Sequence, residues 1–368
     1  MKRSIFFPGK YVQGRGVLCE TSKYAALLGK KPILVWGPRT KAAVGQTVLK
    51  SFAAEGIACE EIMFHGECTK EESARIAGIA REKGGDVIVG VGGGKVIDTA
   101  KGAAAQESLP ILVIPTVASN DAPTSACTVW YNDEGECVGF DLWKLSPDII
   151  LVDTEVIVHA PVRMFIAGLG DALATWPEAN AAYKSRAISC AGGVPTMTAM
   201  TLARLCFDTL LEYGHAAKAA IEQQVVTPAV EKVVEATTLL SGLGWESGGL
   251  CCAHAVANSL PALHETHGFL HGEKVAFGLM IQLCLEEDLG DAEINKIVDF
   301  MVSLGMPVTL SDLNLGEVSR ERLAQYAEMV AGEGSFVHNH NFKVTAADVL
   351  SAIIAADDLG KRRKALKA

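Results

Sequence analysis

The first 160 residues alternate short apolar runs with segments of helical periodicity. The runs are continuously apolar instead of alternating with polar residues, which is typical of strands buried on both faces of a parallel sheet. Residues 129–145, with the turn Asn132–Gly135, interrupt this pattern and predict a hairpin. The predicted parallel strands lie at residues 33–36, 60–64, 86–91, 111–114 and 149–152.

Beyond residue 160 the strand pattern ends, and apolar residues recur at spacings of three and four. We therefore expect an α/β domain with a parallel sheet at residues 1–160 and an all-α domain at residues 161–368. The predicted helices of the second domain lie at residues 171–190, 196–212, 228–242, 250–263, 272–287, 292–303, 318–331 and 345–358.

Composition narrows the classes of partner. The chain of 368 residues has a formal net charge of −10, so neither nucleic acid nor an anionic membrane is an expected partner. No run of about 18 apolar residues predicts a membrane span, and the N-terminus carries no apolar leader segment. The ten cysteines are scattered without a Cys-x-x-Cys pair, which argues against a disulfide framework. We expect a cytoplasmic protein.

A glycine turn follows the predicted strand at 86–91 and opens a helix. Its glycines, Gly92 to Gly94, let the backbone approach a ligand, while the helix N-terminus and Lys95 attract an anion. We interpret this turn as a pyrophosphate site, and a purely structural turn is the alternative because no strict dinucleotide fingerprint is present. The polar loop at residues 115–125 leaves the next strand at the same sheet edge, where Asp121 is a candidate to face a substrate.

Three residues far apart in the chain, Asp171, His254 and His271, offer ligands for one divalent metal. We expect Asp171 at the start of a helix, His254 inside an apolar helix and His271 at the head of a third. One carboxylate and two imidazoles leave a coordination position open, as in a catalytic zinc site. Each residue also has a structural alternative. Asp171 is suited to cap a helix, His254 to the core, and His271 to a surface cluster with His264 and His267.

These motifs resemble those of the glycerol dehydrogenases, within the metal-dependent, iron-containing-type alcohol dehydrogenase superfamily. The resemblance runs in register from Pro8 almost to the C-terminus. It implies a dehydroquinate synthase-like fold, with a nucleotide-binding N-terminal domain, a metal-binding C-terminal domain and Zn²⁺ in the cleft between them. It also implies a homo-oligomer that transfers hydride between NAD and a small polyol, with glycerol as the first expectation. The matching segments are Gly-Gly-Gly-Lys95-x-x-Asp98, Thr116 with Asp121-Ala-Pro, Gly-Asp171-Ala-Leu, Ala-His254-Ala-Val and His271-Gly-Glu-Lys-Val-Ala-Phe-Gly.

The resemblance also implies residue roles by matching position. Asp171, His254 and His271 would ligate the metal, and Asp121 would contact the substrate. Thr175 stands where the four-ligand iron enzymes of the superfamily have a histidine, which favours the three-ligand zinc branch. The residues implied to line the cofactor are Gly92, Gly93, Gly94, Lys95, Asp98, Thr116, Ser119, Ser125 and Tyr131.

Several positions depart from the family pattern. The turn Gly37-Pro38-Arg39 lacks the aspartate that accepts hydrogen bonds from the adenosine ribose, and Arg39 suits a 2′-phosphate, so we expect NADP to be accepted beside NAD. Ala257 replaces a histidine near the metal, and Trp245 and Pro177 replace phenylalanines. Because these changes surround the metal, a related 1,2-diol, a hydroxyketone or an aldehyde is an alternative substrate to glycerol.

Two other classes stay open on the sequence. Glycerol-1-phosphate dehydrogenases and dehydroquinate synthases resemble this architecture but must grip a substrate phosphate, for which the metal-site helices offer chiefly Lys274. A non-catalytic binding protein of the same fold has no need of an open metal site. We expect His338 and His340, in the polar stretch 332–341, to be exposed loop residues.

Overall fold

The computed structural model describes residues 1–367, which fall into two compact units. The α/β unit comprises Phe6–Phe165 and Ala219–Gly242, and the helical unit comprises Met1–Ile5, Ile166–Lys218 and the chain from Leu243 onward. The predicted boundary at residue 160 lies close to the division after Phe165. Two segments group differently from the prediction: the first five residues belong with the helical unit, and Ala219–Gly242 belongs with the α/β unit.

Eight strands occur in the described residues, and six of them form one parallel sheet in the order β1-β8-β5-β4-β2-β3, while β6 and β7 form a separate antiparallel hairpin. The strands are β1 (Lys10–Gly14), β2 (Pro32–Trp36), β3 (Glu60–Met63), β4 (Val87–Gly92), β5 (Ile111–Pro115), β6 (Cys127–Tyr131), β7 (Cys137–Leu142) and β8 (Ile149–Asp153). All five predicted parallel strands and the predicted hairpin are confirmed.

The sequence pattern missed β1, because this strand is not a continuous apolar run. It pairs with β8 from Lys10 opposite Ile149 to Gly14 opposite Asp153, and none of its residues is fully buried. It also explains why Ala219–Gly242 belongs to the α/β unit. The Gln13 amide donates a hydrogen bond to the carbonyl oxygen of Glu231 at 2.8 Å.

The core of the α/β unit lies on the sheet. Every residue of β2, β4, β5 and β8 is buried, which is why these strands appear in the sequence without polar alternation. Burying one Val, Leu or Ile side chain contributes roughly 1.5–3 kcal/mol, so the buried side chains of these four strands are a main source of the unit's stability. Members of one cluster include Leu34, Trp36, Val48, Phe52, Val89, Val91, Leu112, Ile114 and Leu151.

Helices are the other main elements of the described chain. They are α1 (Thr21–Ala25), α2 (Pro38–Ala54), α3 (Lys70–Glu82), α4 (Gly94–Glu107), α5 (Thr154–Val158), α6 (Val162–Ser185), α7 (Met197–Glu222), α8 (Pro228–Glu235), α9 (Ser241–Gly248), α10 (Cys252–Ser259), α11 (His271–Leu285), α12 (Asp291–Leu304), α13 (Arg320–Val330) and α14 (Ala346–Ala365). A π-helical turn, Ala236–Leu240, joins α8 to α9. No strand occurs between Thr154 and residue 367, which confirms the predicted helical character of this part.

The position of Asp171 in its helix differs from the prediction. Helix α6 begins at Val162 and continues to Ser185, so Asp171 lies inside the helix and does not cap it. Two glycines before Asp171 obscured the true start, which directly follows Pro161. Pro177 also lies inside α6, where it removes one backbone hydrogen-bond donor from the helix.

No helix in the described chain combines the length and the apolar character that crossing a membrane requires. None of the ten cysteines, all of which lie in the described part, forms a disulfide. The free state of these cysteines agrees with the expectation from their spacing.

Candidate metal and nucleotide sites

A close crossing of α6 and α11 brings two candidate metal ligands together. A Cβ atom on Gly170 would lie 2.6 Å from the carbonyl oxygen of Gly272, and a Cβ atom on Gly272 would meet the carbonyl of Ala167. Only glycines therefore permit this approach of the two backbones. Asp171 follows the first glycine and His271 precedes the second, so the crossing places both side chains at one point.

The three predicted ligands converge in the helical unit. The Oδ1 atom of Asp171 lies 3.6 Å from Nε2 of His254 and 3.5 Å from Nε2 of His271, and one ligand atom from each residue lies within 4.8 Å of the others. Asp171 is 1% exposed, and neither of its carboxylate oxygens has a hydrogen-bond partner among the described residues. A buried carboxylate without donors is costly unless a cation compensates it, so the donor set fits a divalent metal.

Glu178 orients one of these imidazoles. Its Oε2 lies 2.5 Å from Nδ1 of His254, and its Oε1 accepts hydrogen bonds from the backbone N–H groups of Cys251 and His254 at 2.8 and 2.9 Å. Burial alone would lower the pKa of His254, but the carboxylates of Glu178 and Asp171 outweigh it and raise the pKa well above its ordinary value. With Nδ1 held by Glu178, Nε2 faces Asp171, as carboxylate–histidine–metal arrangements require.

Sequence inspection missed Glu178, although a signal was present. Glu178 stands seven residues after Asp171 on α6. This spacing is two helical turns, which puts both carboxylates on one face. A second acid at that spacing inside an apolar helix is the pattern that would have identified it.

The sequence also draws attention to four other residues, and the structure gives their exposure. Thr175 is buried one turn beyond Asp171, and within residues 1–367 the metal-capable cluster consists of the three predicted residues. His264 and His267 are exposed, so they are separate from this cluster. Trp245 is 9% exposed, and its indole N–H has no hydrogen-bond partner among the described residues.

The expectation for His340 was wrong, whereas His338 is exposed as expected. His340 is 4% exposed and stacks on Phe342 with ring centroids 4.7 Å apart. The Asn339 side chain anchors the preceding turn by donating to the carbonyl oxygen of Leu250 at 2.8 Å, which draws the next residue inward. A polar loop sequence gave no sign of this anchor.

In the α/β unit, the glycine turn ends β4 and opens α4. Gly93 is the N-cap and provides no side-chain cap, so the first N–H groups of α4 are available to an anion. A Cβ atom on Gly94 would lie 2.7 Å from the side-chain amide of Asn120. The backbone N–H of Thr116 donates to the carbonyl oxygen of Gly92 at 3.0 Å, which joins the ends of β4 and β5. This turn lies beside the point where the strand order reverses, between β4 and β2, where ligands of such sheets bind.

Lys95 and Tyr131 come together beside this turn. The Lys95 ammonium forms an ion pair with Glu67 and lies 5.2 Å from the centroid of the Tyr131 ring. Thr116 and Ser119, also predicted to line the cofactor, are partly buried in the loop after β5. These four positions lie on elements that meet at the sheet edge.

Asp98 and Ser125 are instead occupied with internal contacts. Asp98 pairs with the buried Lys101 at 2.8 Å and accepts a hydrogen bond from the backbone N–H of Val129 at 2.9 Å. Lys101 in turn donates to the carbonyl oxygens of Ala122 and Ser125 at 2.9 and 3.3 Å. Through these contacts, the buried pair of Asp98 and Lys101 stabilises the loop after β5 and the hairpin of β6 and β7.

Asp121 is fixed from a segment that sequence inspection did not connect with it. The Ser241 hydroxyl donates to Oδ2 of Asp121 at 2.9 Å, and the Thr124 hydroxyl donates to the carbonyl oxygen of Thr238 at 2.8 Å. Thr238 lies in the π-helical turn and Ser241 follows it directly. Such turns are rare and frequently occur at functional sites. No sequence signal indicated this one.

Comparison with known proteins agrees with this architecture. The family model described as iron-containing alcohol dehydrogenase matches residues 8–154. A glycerol dehydrogenase of Pseudomonas putida is 44% identical over 98% of this chain and 99% of its own length. A glycolaldehyde reductase of Halobacterium salinarum is 41% identical, covering 96% of this chain and 97% of that protein. The crystal structure of glycerol dehydrogenase from Schizosaccharomyces pombe superposes with a TM-score of 0.94 at 35% identity, covering 100% of this chain and 93% of that one.

The family-model match lies within the α/β unit, whereas the matches to the relatives extend over both units. The chain belongs to the iron-containing alcohol dehydrogenase family. It is an oxidoreductase of a metal-dependent, nicotinamide-linked class, and Asp171, His254 and His271 form its candidate metal site.

Proposed function

We propose that the protein oxidises glycerol to dihydroxyacetone and transfers the hydride to NAD⁺. The observation that carries the proposal is the convergence of Asp171, His254 and His271, where the buried Asp171 carboxylate has no hydrogen-bond partner among the described residues. The full-length similarity to a glycerol dehydrogenase supports glycerol as the substrate. A vicinal diol can offer two oxygens to one metal, which favours it over a simple alcohol.

The metal proposed is Zn²⁺, held by one carboxylate oxygen and two imidazole nitrogens with a position left open. Thr175, one turn after Asp171, offers no imidazole as a fourth ligand. The same donor types also suit Fe²⁺, so metal content belongs in the test. When bound, the ion supplies a Lewis acid that polarises a substrate oxygen and lowers the pKa of its hydroxyl.

Other residues of the chain orient a metal ligand, bind the substrate and bind the cofactor. Glu178 keeps Nε2 of His254 facing the metal position. Asp121, fixed by Ser241, accepts a hydrogen bond from a substrate hydroxyl. The N-terminus of α4 with Gly93, Gly94 and Lys95 binds the pyrophosphate of the cofactor. The reaction removes the hydroxyl proton to solvent and passes the carbinol hydrogen with its electron pair to C4 of the nicotinamide.

A second candidate reaction is the reduction of a small hydroxyaldehyde by the same site. The glycolaldehyde reductase relative, nearly as similar as the glycerol dehydrogenase, favours it.

The test is a set of initial rates on protein stripped of metal and reloaded separately with Zn²⁺ and Fe²⁺. The panel contains glycerol, 1,2-propanediol, 2,3-butanediol and glycerate with NAD⁺ or NADP⁺, and glycolaldehyde with NADH. We expect the highest kcat/KM for glycerol with Zn²⁺ and little activity for Asp171→Asn. A higher kcat/KM for glycolaldehyde would transfer the proposal to the second reaction. Full activity of metal-free protein would reject both.

A further inference from the structure

An acidic side chain holds the lysine of the proposed cofactor site. The Lys95 ammonium, on the second residue of α4, forms an ion pair with Oε2 of Glu67. Glu67 lies in the segment between β3 and α3. The Lys95 side chain is 49% exposed and the Glu67 side chain is 17% exposed. A ligand can therefore reach the ammonium from solvent, whereas the carboxylate is largely enclosed.

Contacts with the surrounding chain fix the Glu67 carboxylate. Its Oε1 accepts a hydrogen bond from the backbone N–H of Cys68 at 2.9 Å. The carbonyl oxygen of Cys68 accepts one from the backbone N–H of Tyr131, also at 2.9 Å. A Cβ atom on Gly135 would lie 3.6 Å from Oε2 of Glu67, so the turn of the hairpin lies beside the carboxylate. Glu67 is thus a fixed negative charge, and Lys95 is the more exposed partner.

The ion pair offsets an unfavourable position of Lys95. The N-terminus of a helix carries a partial positive charge, which repels an ammonium group in the first turn. The Glu67 carboxylate compensates this repulsion when no anion is bound. A pyrophosphate at the same N-terminus also attracts the ammonium. Glu67 and a phosphate oxygen are therefore alternative partners of one cation.

We propose that Glu67 competes with the cofactor pyrophosphate for Lys95, which weakens dinucleotide binding and speeds dinucleotide release. The inference rests on the proposed function, in which the N-terminus of α4 and Lys95 bind that pyrophosphate. Lys95 then has to give up its ion pair with Glu67 when the cofactor binds, and this loss lowers the affinity. Affinity changes within one binding site arise mostly in the dissociation rate, so the competition chiefly shortens the lifetime of the complex.

Glu67→Gln tests the competition, because glutamine keeps an oxygen for the N–H of Cys68 and removes the charge that holds Lys95. The Kd of NADH, followed by its fluorescence, should fall about fivefold, the upper end of the range for exposed ion pairs. The dissociation rate should fall with it. ADP-ribose, which carries the same pyrophosphate, should bind more tightly in calorimetry, and adenosine should not. Damage to the fold would weaken binding, so tighter binding shows a role beyond structure.

Glu107→Gln is the matched control. Glu107 ends α4, pairs with Arg81 at 2.7 Å and has a side chain that is 15% exposed. Its replacement therefore removes the same charge from a similar ion pair at the other end of the helix, and the Kd values should equal those of the wild type. Unchanged or weaker binding of NADH and ADP-ribose by Glu67→Gln would overturn the proposal.

Lys95→Met separates this inference from the proposed function. It should weaken the binding of NADH and ADP-ribose, and adding Glu67→Gln to it should tighten binding by less than about twofold, since the shared cation is gone. Equal tightening with and without Lys95 would mean that Glu67 repels the phosphates directly, which would overturn the competition. If Lys95→Met bound ADP-ribose as tightly as the wild type, the assignment of Lys95 to the pyrophosphate would fail, and this inference with it.

Discussion

The imidazole of His254 is held between two carboxylates of the same helix. Its Nδ1 lies 2.5 Å from Glu178 Oε2, and its Nε2 lies 3.6 Å from Asp171 Oδ1. Helix α6 therefore supplies both a proposed metal ligand and the group that orients a second ligand. The third, His271, comes from the helix that crosses α6 at Gly170 and Gly272. One pair of helices thus builds most of the site.

Replacing Glu178 by glutamine should weaken zinc binding by about 10–100-fold, the usual effect of losing an orienting carboxylate. The amide can still accept from the backbone of Cys251 and His254, but its NH₂ group then faces Nδ1 of His254 and opposes the required tautomer. Competition with a chromophoric chelator measures the affinity. Glu265→Gln, which removes an ion pair with Arg322, is the matched control. Equal zinc affinity for Glu178→Gln and wild type would remove Glu178 from the site.

Ser241→Ala should lower kcat/KM for the polyol about fivefold, because a single intramolecular hydrogen bond contributes about 1 kcal/mol. The KM for NAD⁺ should stay unchanged, since Ser241 contacts Asp121 and not the glycine turn. Ser351→Ala is the control, as that hydroxyl donates only to a carbonyl of its own helix, at Ala347. A parallel loss in both parameters would mean that Ser241 supports the fold and not the position of Asp121.

Much of the fold could be predicted because burial on both faces of a strand requires a continuous apolar run. Strands β2, β4, β5 and β8 appear as apolar runs since water reaches neither side of the sheet. The edge strand β1 escaped notice because its pairing with β8, and not its composition, makes it a strand. Asp171 was placed too near a helix start, since Gly168 and Gly170 look like helix breakers until the close contact of Gly170 with α11 is known.

The three candidate metal ligands could be singled out from the sequence because aspartate and histidine are metal-binding residue types wherever they stand. Their supporting residues could not, because Glu178, Ser241 and Lys101 act only through contacts made by the fold. A glutamate in a helix or a serine before an apolar stretch has many ordinary uses. His340 shows the same limit, since its burial depends on Asn339 reaching Leu250.

Arg39 should make the enzyme accept NADP⁺. It lies in the first turn of α2, directly after β2 and beside the reversal of strand order, and Gly37 provides no side-chain cap there. Arg39→Ala should lower kcat/KM for NADP⁺ about tenfold, the equivalent of about 1.4 kcal/mol for a charge-assisted contact, and leave that for NAD⁺ nearly unchanged. Lys50→Ala, at the far end of α2, controls for net charge. A strong preference for NAD⁺ that Arg39→Ala does not alter would contradict this prediction.

The buried His340 should make the helical unit sensitive to acid. Burial, opposed by Glu178 and assisted by Lys184, lowers the pKa of His340 from 6.5 to about 4. Between these pH values the unfolded chain binds a proton that the folded chain does not, so stability falls as the pH drops from about 6.5 toward 4. The full difference corresponds to about 3 kcal/mol.

His340→Phe is the variant that isolates this effect. Glu286, whose carboxylate lies 3.7 Å from His340, has a pKa raised by burial and therefore contributes with the opposite sign. Because Glu286 remains in the variant, the difference in thermal unfolding between wild type and His340→Phe reports on the histidine. The wild type should lose stability between pH 7 and pH 5 faster than this variant, whereas the exposed His338→Phe should follow the wild type. Parallel curves for wild type and His340→Phe would show that the buried imidazole titrates at its ordinary pKa.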